Sequence, residues 1–229
     1  MKYPASQWLP FYLPLALIWG CSFLFIKVGL ESFTPIGVVF GRVLLGALTL
    51  IVITVVSRSS LPPRWSWKYL FVASLLWVCV PWTIFAIAQT QVSSALAGII
   101  NALTPLMTLL AILLAFRTEK PTRGRIGGLI LGFIGMLVVV GFWQPLALDN
   151  LWAIGAMVLA VSCYGVAFPF ARRFLTGPQA QAPIPAVSLA TGLMLWGLVI
   201  VGPLALVTGI GSAPISGASL AAVAALGIL

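Results

Sequence analysis

The chain has 229 residues, of which 62% are hydrophobic and 7% charged, with a formal charge of +9 and no histidine. Soluble domains carry about a quarter charged residues, so this composition cannot make a solvated surface and reads as an all-α integral membrane protein. It also leaves no Ser/His or Cys/His dyad, no metal-ligand cluster and no GxxxxGK[ST] phosphate loop, so neither metal nor cofactor is expected.

A ruler of roughly 20 apolar residues per crossing places spans over 9–29, 35–56, 69–88, 94–116, 126–143, 151–171 and 184–207, with an eighth opening at 217. One Lys precedes the first run and no small-residue cleavage site follows it. A retained span is therefore expected over a signal peptide, with residue 1 as the mature start. Lys27 and Glu31, four apart at the end of this span, are expected to form an interfacial ion pair. Arg42 lies about 10 Å into the second span; it either joins Glu31 by snorkelling or meets an anionic substrate group.

The third span contains "LLWVCVPWTIF", where Pro81 has no N–H for the carbonyl of Trp77. The fourth, "SSALAGIINALTPLMTLLAILLAF", places Ser94, Gly98, Asn101, Pro105 and Thr108 at helical spacing on one small, polar stripe, with Thr104 beside it. Pro105 is expected to free the carbonyl of Asn101 in that stripe. Two readings stay open. Asn101 and Thr104 either bond a neighbouring helix while Pro105 kinks the span, or they line a cavity, where unpaired backbone at membrane depth is tolerated.

Gly124, Gly128, Gly132 and Gly135, like Gly37 and Gly41, suggest close helix contacts. Cys21, Cys79 and Cys163 sit in apolar runs without CxxC spacing and read as small buried side chains. Glu31, Glu119 and Asp149, all the carboxylates there are, fall in connections or at span ends, leaving none for an intramembrane proton relay.

The connections alternate in charge. Lys2, then Arg58, Arg64 and Lys68, then Arg117, Lys120, Arg123 and Arg125, then Arg172 and Arg173 put ten basic residues on one side, and the other connections carry none. This pattern explains the net charge as a topology signal, not a nucleic-acid patch, and predicts a cytoplasmic amino end. The connections are also too short for a soluble catalytic domain. "LALIWGCSFLFIK" is loosely echoed by "AVSCYGVAFPFAR": Trp19-Gly20-x-x-Phe23 matches Tyr164-Gly165-x-x-Phe168, and Lys27 matches Arg172. Because the first unit holds five spans, an odd number, its copy would enter the membrane from the opposite side.

These stretches resemble the EamA-like branch of the drug/metabolite transporter superfamily. "LALIWGCSFLFIKVGLESFTP" is similar to its opening helix, "FGRVLLGALTL" to its Arg-containing second helix and "ALAGIINALTPLMTLLAILLAF" to its proline-bearing fourth. Glu119, Gly128, Gly132 and Gly135 match its spacing further on. The likeness covers residues 9–143, with a weaker second copy to about residue 207. It implies two inverted five-helix repeats, here 1–143 and an incomplete 151–229, giving about seven to eight of ten helices. It also implies a multi-pass carrier in the plasma membrane, moving small metabolites or drugs through a central cavity.

By that resemblance Trp19, Asn101, Thr104 and Tyr164 border the cavity; the helix breaks add Trp77, Pro81, Pro105 and Thr108, with Lys27 and Arg42 as interfacial or anion contacts. The expected partners are a small-molecule substrate and the lipid bilayer. The eighth run stops about 13 residues in, roughly 20 Å of a needed 30 Å, so a truncated second copy is expected. The competing reading is a non-transporting fragment or partner subunit; an intramembrane enzyme has no nucleophile/base pair to build on.

Overall fold

The computed structural model describes residues 5–116, 122–140 and 151–229. Eight helices run through them: α1 Ala5–Gly29, α2 Pro35–Val56, α3 Arg64–Ala88, α4 Ser94–Ala115, α5 Arg123–Val140, α6 Leu151–Thr176, α7 Ala186–Thr208 and α8 Gly217–Ile228. All but α5 and α8 contain an apolar stretch long enough to cross a bilayer. The protein is thus a polytopic helical membrane protein. Hydroxyl side chains set several starts: Thr34 accepts from Gly37 N–H with Pro35 at the first position of α2, Ser93 accepts from Leu96 N–H, and Ser216 from Ser219 N–H. Each pairs a donor that the helix itself leaves open.

The observed ends differ most from the predicted ones in three places. α1 begins at Ala5 and continues through Pro10 and Pro14, α3 starts earlier through a short 3₁₀ turn at Arg64–Ser66, and α6 extends through a π turn over Arg172–Thr176. Residues 141–143, assigned above to the fifth span, lie outside the described residues.

An extensive contact joins α2 and α7, which run antiparallel. At one end the hydroxyls of Thr54 and Thr191 lie 3.1 Å apart in a buried hydrogen bond. At the other, the Thr34 hydroxyl donates to the Gly209 carbonyl at 2.9 Å and the Thr34 N–H to Ile210 at 3.0 Å. Between them Gly197 lets α7 settle on Val43 and Val78, which a Cβ there would meet at 3.1 and 3.3 Å. Without a hydrophobic drive inside lipid, such close approach and interhelical hydrogen bonding are what hold helices together. Val38, Val39, Val43, Leu70, Val78, Val201 and Val223 are buried around this pair, and a second buried cluster with Phe85, Ile100, Met157 and Val161 joins α3, α4 and α6. Outward faces carry Val55, Val56, Leu114, Leu131, Leu206 and Val207, apolar surface suited to hydrocarbon.

Two further pairs of contacts correspond. α1 packs on α8 as α6 packs on α3, and α2 packs on α8 as α7 packs on α3. The α1–α2 turn is tied to the α7–α8 connection through Ser212 N–H and the Ser32 carbonyl, at 3.0 Å, while Ser188 at the start of α7 donates to the Ser60 carbonyl in the α2–α3 connection.

Two glycine expectations part ways. Gly37 and Gly41 lie against Ile210 and Val223, where a side chain would collide. Gly124, Gly128, Gly132 and Gly135 have nothing within 4 Å of where a Cβ would stand among the described residues, so this stripe makes no close helix contact. The spacing is the same in both helices, but only α2 sits inside the bundle. Of the cysteines, Cys79 is buried, Cys163 half-buried and Cys21 exposed, which corrects the reading of Cys21 as an interior residue.

Gly165 on α6 faces the backbone of Met107, where a Cβ would come within 2.6 Å of the carbonyl carbon, whereas a Cβ on Gly20, its counterpart in the echoed motif, meets nothing. Gly165→Ala is therefore expected to destabilise the bundle by about 1–3 kcal/mol. Gly20→Ala is expected to be neutral or to stabilise by up to about 1 kcal/mol through helix propensity. Melting temperatures in detergent, lowered for the first and unchanged or raised for the second, check the pair.

Candidate functional site

Two helix interruptions shape the interior. In α3 the backbone widens into a π turn over Leu75–Cys79, with Val80 N–H donating to the Leu75 carbonyl, just before Pro81. Trp77 and Trp82 are five apart and would point about 140° from each other on a regular α-helix. The extra residue in the turn brings both onto one cavity. In α4 the helix stops after Asn101: Leu103 N–H donates to the Ile100 carbonyl, and a second segment restarts at Thr104 with Pro105 in its first turn. The Asn101 carbonyl is not free as predicted, because the Thr104 hydroxyl donates to it at 2.7 Å. A hydroxyl three residues on has supplied the donor that Pro105 lacks.

Between the helices lies a cavity of about 680 Å³, a volume in the ordinary range for small-molecule sites. α1 contributes Trp19, Ser22, Phe23 and Ile26 at helical spacing; α2 contributes Arg42; α3 contributes Trp77, Val78, Trp82 and Phe85. α4 contributes Asn101, Thr104, Pro105 and Thr108; Leu129, Tyr164, Phe168, Leu193 and Met194 come from α5, α6 and α7. Trp19 is 59% exposed, so the cavity is open along α1.

Aromatic contacts brace the lining. Trp77 meets Phe168 edge-on with ring centres 4.6 Å apart, Phe23 meets Phe85 at 5.4 Å, and Phe85 lies nearly parallel to Tyr164 at 6.4 Å.

The polar side chains divide into two groups. Ser22, Thr104 and Thr108 donate to carbonyls of their own helices, Ile18, Asn101 and Thr104, at 3.0, 2.7 and 2.8 Å. The Asn101 amide and the Arg42 guanidinium have no hydrogen-bond partner among the described residues. Arg42 lies over the Trp82 ring, 3.7 Å from its centre, and is close enough to Tyr164 to interact electrostatically. No group of His, Cys, Asp or Glu among the described residues could hold a metal ion.

Eight of the residues singled out in the sequence therefore share one cavity: Trp19, Arg42, Trp77, Asn101, Thr104, Pro105, Thr108 and Tyr164. Pro81 is buried and does not line it; it acts on the backbone beside the π turn. Lys27 is elsewhere too. Its ammonium donates to the carbonyls of Gln89 and Val92, at 2.7 and 3.2 Å, at the end of α3, where the helix dipole favours a cation. Glu31 is exposed and forms no ion pair among the described residues, so neither the Lys27–Glu31 nor the Arg42–Glu31 pair exists. Phe23, Phe168, Trp82 and Phe85 were not chosen from sequence. Phe23 and Phe168 carried a signal as the last residues of the echoed motif, and Trp82 and Phe85 as positions four and seven after Val78. Leu193 and Met194 carried none.

The description of the EamA-like transporter family matches residues 7–141, more than half of the chain. The chain belongs to the EamA-like transporter family. It is similar to Protein PagO of Salmonella typhimurium, 25% identical over 165 residues, covering 71% of this chain and 54% of PagO. It is also similar to an uncharacterized transporter of Archaeoglobus fulgidus, 22% identical over 174 residues, covering 75% of this chain and 59% of that protein. The EamA-like chain thus spans a little over half the length of these relatives. It is a membrane protein of a transporter family.

Charge-assisted hydrogen bonds contribute about 1.5–3 kcal/mol, so Lys27→Met in the EamA-like chain is expected to lower the melting temperature measurably. Glu31→Gln, which breaks no ion pair, is expected to leave it unchanged. The reverse order would show that Lys27 acts through Glu31.

Proposed function

We propose that this EamA-like chain works as a secondary carrier that moves small organic metabolites or drugs across the plasma membrane by alternating access. In this reading the cavity holds the substrate. The observation that carries it is an interior cavity bordered by two interrupted helices, α3 and α4. Irregular backbone at membrane depth is tolerated where it meets a cavity, and broken helices beside a central site are the usual architecture of secondary carriers.

Two inverted units, 1–143 and 151–229, belong to the same reading. Under exchange of α1, α2 and α3 with α6, α7 and α8, the α1–α8 contact corresponds to α6–α3 and α2–α8 to α7–α3, and α2 and α7 pack on each other, while α2–α3 has no comparable α7–α8 counterpart. A pseudo-two-fold relation would produce the corresponding contacts. The echoed motifs supply aromatic lining from both sides, Trp19 and Phe23 from one and Tyr164 and Phe168 from the other. A cytoplasmic amino end is supported by the basic end of the bundle. There Lys68 lies over Tyr69, Tyr69 stacks on Phe174 and Arg173 lies over Phe174, gathering cations from the ends of α3 and α6.

In proteoliposomes, saturable counterflow is expected for at least one class among amino acids, other metabolites and drugs; no saturable flux for any of them would overturn the carrier reading. Asn101→Ala removes an amide with no partner among the described residues. It is expected to raise KM several-fold, the scale of one hydrogen bond of about 1 kcal/mol, without lowering the melting temperature. For orientation, Ser60→Cys and Ser212→Cys are placed in a background free of other cysteines. An impermeant maleimide applied to intact cells is expected to label position 212, and position 60 only after permeabilisation.

A further inference from the structure

Arg42 stands about 10 Å along α2 from Pro35, inside the bundle and beside the cavity. A guanidinium is permanently charged, and cations within spans are costly unless they pair with carboxylates, backbone carbonyls or water. None of the eight described helices contains an Asp or a Glu. The Arg42 side chain makes no hydrogen bond or ion pair among the described residues, and its Nε is closed to water with no partner. The nearby Tyr164 hydroxyl, a neutral group, makes no hydrogen bond to it, and Thr104 and Thr108 donate to carbonyls of their own helix.

What holds Arg42 is the Trp82 ring, 3.7 Å below its central carbon. Stacking uses one face of the plane and leaves the N–H edge for an acceptor in that plane, the geometry in which Arg receives carboxylate and phosphate. The rest of the lining is mostly apolar and aromatic, with Trp77 and Phe168 in edge contact and the Asn101 amide without a partner among the described residues.

We infer that the substrate itself supplies the missing counter-charge: the cavity takes an organic anion, its carboxylate, sulfonate or phosphate on Arg42 and its apolar body against Trp77 and Phe168. This rests on the carrier reading of the cavity and narrows it to a substrate class.

The test compares three probes of one shape, 1-naphthoate, 1-naphthylmethanol and 1-naphthylmethylammonium, by equilibrium binding to the full chain in phosphatidylcholine nanodiscs. 1-Naphthoate is expected to bind about 10-fold more tightly than the alcohol or better, as a charge-assisted pair allows, and the ammonium most weakly. Arg42→Gln is expected to abolish the preference and Arg42→Lys to keep part of it.

Equal binding of acid and alcohol to the unmodified protein, which requires no variant to fold, would overturn the inference, as would a preference that survives Arg42→Gln. Adding phosphatidylglycerol is expected to leave 1-naphthoate affinity unchanged; a marked loss would assign Arg42 to lipid headgroups and overturn it too. Failure of the carrier reading is read separately, as absent flux in proteoliposomes despite an intact anion preference.

Discussion

The antiparallel contact between α2 and α7 is the constraint that positions α8 and α3 around it. It is tied at one end by Thr54 and Thr191 and at the other by Thr34 and the Gly209–Ile210 backbone, with Gly197 allowing close approach between. Inside lipid, apolar side chains gain little by leaving hydrocarbon for protein, so fixed hydrogen bonds and tight packing decide which helices pair. Once α2 and α7 are joined, α8 is held against α2 and α3 against α7. Arg42 on α2 and Met194 on α7 then line one space.

That space depends on helix breaks whose polar cost is met locally. The Thr104 hydroxyl takes up the Asn101 carbonyl, and the π turn in α3 shifts hydrogen bonding by one residue before Pro81. Both devices keep backbone groups paired, as a low-dielectric surrounding demands, while turning Asn101, Trp77 and Trp82 inward. Lys27 solves a different problem at the edge of the membrane, binding carbonyls at the end of α3 and so fastening α1 to it.

Much of this was legible in advance. Span positions follow from the length of apolar runs, and the small polar stripe of α4 put Asn101, Pro105 and Thr108 on one face, with Thr104 beside it, because helical periodicity is a local property; Ser94 and Gly98 of the same stripe lie outside the cavity. The ion pair of Lys27 and Glu31 was not a sound reading. Four-residue spacing makes two side chains neighbours, but a stronger set of acceptors from α3, far away in sequence, draws Lys27 off. The glycines of α5 differ for a related reason: small residues permit close packing, and among the described residues no partner stands against them.

By itself the sequence determined the membrane environment, the helices, their breaks and the absence of any carboxylate within the described spans, since each depends on composition or on neighbours within a few residues. Only the tertiary structure decided that Phe85 would meet Tyr164, that Pro81 would stay behind the cavity lining, and that Arg42 would stack on an indole in place of an acidic partner. Those are contacts between helices distant in sequence. Interhelical hydrogen bonds and close packing select them, and neither has a signature in the local order of residues.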